Sequence, residues 1–433
     1  MAAVNETTRG LFSFIERSPT AFHAVENARL RLEAAGFRPL LESRDWDLTP
    51  GQGYYVTRNQ SSLLAFRVPQ TLTGFVIGAA HTDSPCLKLK ENMELRPEGY
   101  TKLDVEKYGG MLMAPWLDRP LSVAGRLVAA SASGVETRLV NLDRDLLVIP
   151  SLAIHMDRTA NDGKKWDAQV DLLPLLGKGD RALLPMLAEE AGLRMEDILS
   201  FDLFVYNRDR GTVLGPDGEF ILCPRLDDLQ CVYGLLQGFL RAAPRDGTLP
   251  VLALFDNEEI GSETRQGAMS TFLYDVLRRI CRSRGLSETD YLRCVAQSLM
   301  ISADNAHGVH PNHPEKAALT NRPRLGEGVV IKYGPRYATD GPAAAMLRQI
   351  LQRAGVPTQT YFNHSNVPGG GTLGCISGTQ VSLHTADVGL SQLAMHSACE
   401  TAGTADTDHL IRAMEACFSA RITETGPETF SVE

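Results

Sequence analysis

Four short apolar runs constrain this chain more than anything else in it. GFVIGAA (74–80) leads into HTDSP, LPVLALF (249–255) into DNEE, SLMISA (298–303) into DNAHG, and TQVSL (379–383) into HTADVG. Uninterrupted runs of this kind suit strands of a parallel sheet that is covered by helices on both faces. Helical patterns lie between them, such as LDDLQCVYGLLQGFLRAA from 226 and DTDHLIRAMEACFSARI from 406. Strands alternating with helices predict an α/β fold with a mixed, mostly parallel sheet sandwiched by helices. In open sheets of this type ligands gather beyond the carboxyl ends of the strands, and there each run meets histidine or acid.

An earlier helix is expected over SPTAFHAVENARLRLEAAGF, with Ser18 as cap, Pro19 early and Gly36 as stop. Its apolar face is Ala21, Val25, Ala28, Leu32 and Ala35. Residues 92–221 read differently. KYGGMLMAPWLDRPLSVAGRLVAA and TRLVNLDRDLLVIPSLAIH alternate apolar and polar positions between turn signals, as antiparallel strands do. We therefore expect a discontinuous α/β domain, 1–91 and 222–433, split by an inserted β-rich domain, 92–221. A chain of 433 residues has room for both.

Charge and cysteine usage narrow the function classes. With 43 basic against 52 acidic residues the formal charge is −9, and RRICRSR (278–284) is the one loose basic cluster, so no nucleic-acid partner is expected. No stretch is apolar enough to span a membrane, and MAAVNETTRGLFSFIERSP lacks the basic start and apolar core of a signal peptide. The 8 scattered cysteines read as reduced thiols. The expected location is the cytoplasm.

The strand ends collect His81 and Asp83, Asp227 and Asp228, Glu258 and Glu259, Asp304 and His307, with His396 further on. A zinc ion takes imidazole nitrogen and carboxylate oxygen, and a catalytic ion keeps one position open. Two such ions, about 3.5–4 Å apart, need a bridging carboxylate. Two histidines and three acids would serve, and this set supplies them. One of Glu258 and Glu259 would bind metal while its neighbour takes the proton of the attacking water. Adjacent side chains on extended backbone diverge enough for both tasks. Each fragment alone has a plainer meaning: DNEE as an acidic turn, RLDD as a helix cap, His310 and His313 as loop surface, His23 as a structural helix residue. The metal reading rests on their joint placement.

AHTDSP, PRLDDL, DNEEIGSETRQGA, SADNAHGVHPN, VIKYGPRYATDG and SQLAMHSACE also occur in the order found in M18 metalloaminopeptidases. Over essentially its whole length the chain resembles that family, the aspartyl aminopeptidases. The resemblance implies two Zn2+ per subunit, with Mn2+ or Co2+ as substitutes. By it, His81 and Asp304 belong to the first zinc, Glu259 and His396 to the second, Asp227 bridges them, and Glu258 is the general base. It implies a cis Asp227–Asp228 peptide and substrate contacts from Glu258, Asp304, His307, Lys332 and Tyr337. His155 matches a residue that reaches a neighbouring subunit's site and holds the oxyanion there. Lys332 would pair with an acidic substrate side chain. Read without the family, it is a solvated lysine in a strand.

The implied activity is hydrolysis of the N-terminal residue, preferably Asp or Glu, from peptides with a free N-terminus. The implied assembly is a homo-oligomer, at least a dimer and by resemblance a dodecamer, with 92–221 as dimerisation domain. One departure stands in HSNVPGGGTLG (364–374), where Asn366 replaces the Asp that usually precedes the loop's proline. Rival readings are a broad or neutral-residue aminopeptidase of the same chemistry, and a non-enzymatic shell protein. The second would show a lost ligand or base, and none is lost.

Overall fold

A computed structural model describes residues 5–367 and 369–433; the first four residues of the amino-terminal stretch and Pro368 of the glycine-rich loop lie outside the described residues. Among the described residues, nine strands form a mixed sheet. Its centre is parallel: Gly247–Phe255, Leu72–His81, Leu299–Ala303 and His384–Gly389 lie side by side. Val329–Lys332 joins antiparallel to His384–Gly389, with Thr358–Tyr361 parallel at that edge. Ser62–Arg67, Gly53–Arg58 and Arg38–Leu40 complete the other edge.

Apolar clusters pack on both faces, as fully apolar central strands require. One joins the sheet to Glu6–Glu16, Ala21–Ala34, Leu226–Arg241, Gly341–Arg353 and Asp406–Ser419. The other packs Phe272–Ser283 and Glu288–Ala296 against the opposite face. Among the described residues no helix is long and apolar enough to cross a membrane.

Three of the four expected strands stand where the apolar runs are. The fourth does not. TQVSL follows the Leu373–Gly378 helix as a turn, and the strand is His384–Gly389, the HTADVG segment itself. A central strand tolerates buried Thr385 and Asp387 because loops supply the Asp387 carboxylate with partners, Ala338 N and Thr372 Oγ1. The helix expected from Ser18 begins instead after Thr20. Buried Ser18 accepts a hydrogen bond from Asn27 Nδ2 (3.1 Å), so its oxygen does not cap. Gly36 does end that helix, at φ 85°. An additional helix, Glu6–Glu16, precedes it, capped by Asn5 and buried through Leu11, Phe14 and Ile15.

A second, antiparallel sheet holds six strands among the described residues, all between Cys86 and Asn207. Its Tyr100–Tyr108 strand ends beside the catalytic-looking strand ends of the first sheet. A third, smaller sheet carries Ala306–His307 and the short strands Ser391–Leu393 and Glu400–Gly403 that bracket His396.

Candidate metal centre

His81 closes the Leu72–His81 strand, Asp304 follows Leu299–Ala303, and Glu258 and Glu259 follow Gly247–Phe255. Asp227 and Asp228 open the Leu226–Arg241 helix, joined by a cis peptide. His396 stands in a loop at φ 65°. Three overlapping groups bring one ligand atom per residue within 4.8 Å of each other: His81, Asp227, Asp228 and Asp304; His81, Glu258 and Glu259; Asp227, Glu259 and His396. Asp227 shares in the first and third. His81 Nε2 lies 3.5 Å from Asp227 Oδ1, and His396 Nε2 lies 3.4 Å from both Asp227 Oδ2 and Glu259 Oε1.

The surroundings aim these groups. His81 Nδ1 lies 3.1 Å from the Asp83 carbonyl oxygen, which leaves Nε2 to face Asp227. The Asp83 carboxylate accepts from the backbone N–H of Glu258 and Glu259 (3.2 Å each) and from Tyr108 Oη (2.8 Å). Buried Glu400 accepts from Asp227 N (2.9 Å) and His396 N (2.7 Å). His396 Nδ1 approaches Gly110 O at 2.5 Å. Gly109 has φ 81°, and a Cβ there would stand 3.1 Å from Glu259 Cβ, so the bend leaving the Tyr100–Tyr108 strand touches the cluster through glycine. Glu258 and Glu259 occupy a single helical turn after Asn257 (φ 63°), so the turn, not extended backbone, separates their side chains.

Charge tests the fit to a cation. Asp227 Oδ1, Asp228 Oδ1 and Glu259 Oε1 are buried with no hydrogen-bond partner. Buried carboxylate oxygens are costly when left so. Burial works against charging the imidazoles, yet Asp228 and Asp227 raise His81 well above its ordinary value, and Asp227 and Glu259 raise His396 to about 10. A divalent cation on these atoms would meet the same negative field. Burial pushes the Glu258 carboxyl up to about 7, with His81 pulling it down, in the range a general base needs near neutrality. The donor set of imidazole and carboxylate suits zinc.

Beyond Asp304 lies a cluster of Lys332, Tyr337, Tyr361 and His307. Lys332 is 2% exposed, not solvated. Its Nζ donates to Asp304 O (2.7 Å) and Asn305 O (3.3 Å), 3.5 Å from Asp304 Oδ2 and 5.4 Å from the Tyr337 ring centre. Tyr361 packs 6.3 Å from both Tyr337 and His307, between ring centres. His307 is exposed and Tyr337 half-buried. His155 stands apart, exposed in the irregular stretch 150–167, and belongs to none of the metal groups found among the described residues. Asn366 is exposed, its N–H donating to His364 Nδ1 (3.2 Å). His310 and His313 are exposed loop residues, and burial holds His23, which bonds Thr20 Oγ1, down at about 4. Sequence reasoning gave no role to Asp83, Glu400, Tyr108 or Tyr361; only Asp83, two residues past His81, carried a local signal.

Residues 14–418 match the family model of the aminopeptidase I zinc metalloproteases, M18. A probable M18 family aminopeptidase 2 of Clostridium acetobutylicum is 42% identical over 96% of this chain and 99% of its own length. The chain of the Ape4 and Nbr1 complex superposes with a TM-score of 0.91 at 32% identity, covering 96% of this chain and 87% of that one. The S. cerevisiae mApe1 dodecamer gives 0.83 at 26%, covering 95% of each. With the family model spanning nearly the whole chain and the histidine and acid clusters at the ends of the central strands, this protein belongs to the M18 family of zinc metalloaminopeptidases.

Proposed function

We propose that this aminopeptidase is a dizinc enzyme that removes one N-terminal residue, preferably Asp or Glu, from peptides. The observation that carries the two-ion reading is Asp227, whose two carboxylate oxygens face His81 and His396 respectively, with Oδ1 lacking any hydrogen bond. His81, Asp227 and Asp304 would hold one ion, and Asp227, Glu259 and His396 the other. Zinc bound there supplies polarisation of the scissile carbonyl and a lowered pKa for the attacking water. Glu258 takes the proton of that water and later delivers it to the leaving amine.

The oxyanion would be held by His155 from a second copy, since the exposed stretch around it projects Leu152, Ile154 and Met156 into solvent (51%, 48% and 76% exposed). Residues 92–221 would then be a dimerisation domain within a larger homo-oligomer. The dodecameric mApe1 supports that assembly.

Lys332 and Tyr337, with His307 nearby, would form the side-chain subsite. The lysine's charge favours an acidic residue there. A second reading has its own support: Lys332 Nζ already donates to two carbonyls beside Asp304, which favours a lysine that holds Asp304 and leaves specificity broad. Metal analysis together with turnover of Asp-, Glu- and Leu-anilides decides. About two zinc ions per chain and faster cleavage of Asp and Glu are expected. One ion per chain would sink the bridging role of Asp227, and preference for Leu would favour the broad reading.

A further inference from the structure

We infer that Asp387, in the middle of the His384–Gly389 strand, is a positioning residue that fastens the two loops beside the Lys332 subsite. The inference rests on the substrate-side reading of Lys332 and Tyr337 given above.

Asp387 is fully buried in a strand that pairs with Leu299–Ala303 on one side and Val329–Lys332 on the other. An acid at such a position is costly unless its oxygens are satisfied. One oxygen accepts from the backbone N–H of Ala338, immediately after Tyr337. The other accepts from Thr372 Oγ1 at 2.7 Å, at the end of the glycine-rich loop. The residue's own N–H donates to Thr339 Oγ1, also at 2.7 Å, so the Tyr337 loop is held twice. A Cβ on Gly374 would come within 2.4 Å of Asp387 Oδ1, so the start of the Leu373–Gly378 helix is pressed against the same carboxylate.

Two loops, which also meet where Cys375 Sγ donates to Arg336 O (3.4 Å), are thus both tied to one buried side chain. The first carries Tyr337, whose ring lies over Lys332 Nζ. Asp387 therefore sets the position of the Tyr337 side of the subsite. It touches neither the metal groups nor the reacting bond, so its effect should fall on substrate binding. An Asn in its place would keep one oxygen acceptor for Ala338 N–H, remove the charge, and turn an N–H towards Thr372 Oγ1, whose hydroxyl would have to reverse from donor to acceptor.

The test is Asp387→Asn in the zinc-loaded full-length oligomer, with Thr372→Val as the milder variant that removes one tether and leaves the acid. For Asp387→Asn, KM for the preferred anilide should rise about tenfold or more, as expected for loss of a buried charge-assisted bond. Turnover at saturation and zinc content should stay near wild type. Amide exchange should accelerate together in 334–340 and 369–375 while Leu72–His81 keeps its protection. Thr372→Val should raise KM less and loosen chiefly 369–375. If Asp387→Asn does not fold, Thr372→Val decides alone. Unchanged KM in the folded variants, or exchange that quickens equally through the whole sheet, would overturn the assignment and leave Asp387 a general stabiliser. Leu preference in the wild type would defeat the acidic subsite, and the loop exchange would still report on Asp387.

Discussion

At the strand ends, His81, Asp227, Asp228 and Asp304 are buried, drawn from well-separated stretches and packed until some of their oxygens have no protein partner. Around His155 the same chain leaves a histidine exposed among apolar side chains, near no group it could act on among the described residues. The contrast separates two needs of hydrolysis. Gathering acids around a cation demands exclusion of water and fixed geometry, which one folded chain can supply. Holding an oxyanion needs a single donor arriving from the open side, and a second copy can bring that without disturbing the first.

The largest effect should come from the buried side of this comparison. Glu258→Gln should retain zinc and lose turnover by about 10³-fold or more. Near-normal turnover would remove Glu258 from the role of base and require another group to take the water's proton. On the exposed side, His155→Ala should lower turnover by about 10²-fold with zinc content unchanged. Oligomers reassembled from His155→Ala and Glu258→Gln subunits should recover activity that neither parent has, because on the proposed reading each site would take its base and its oxyanion donor from different chains. No recovery would place His155 in its own chain's site or out of the reaction. The smallest effect should come from Lys332→Met, which should reduce the ratio of Asp- to Leu-anilide kcat/KM about tenfold, the worth of one ion pair in a desolvated pocket. Equal loss on both substrates would assign the lysine to holding Asp304.

What the sequence could reveal divides along the same line. The strands Leu72–His81, Gly247–Phe255 and Leu299–Ala303 are legible because both faces are buried and the residues are apolar throughout. Their ends name His81, Glu258, Glu259 and Asp304 directly. His384–Gly389 is illegible because it buries Thr385 and Asp387, and the groups that satisfy the Asp387 side chain come from Ala338 and Thr372. Hydropathy places the strand in the neighbouring apolar TQVSL instead. The roles of Asp83 and Glu400 escape for a related reason. They accept backbone N–H groups far away in sequence, Glu258 and Glu259 for one, Asp227 for the other, and no local pattern records such a partner. Lys332 reads as solvated because its acceptors are two carbonyls, which every residue has. The Glu6–Glu16 helix carries a readable cap and apolar face, within the stretch that lacks a signal peptide's basic start and apolar core.

Tyr108 and Gly110 give the second sheet a hand in the chemistry of the first: one bonds the acid beneath Glu258 and Glu259, the other meets the ring of His396. A minimised catalytic unit, made by splicing residue 85 to residue 208, would therefore forfeit the alignment of its own ligands as well as any contact between subunits. Exchanging this segment between relatives should succeed only for donors that bring an equivalent hydroxyl and carbonyl to the same two places.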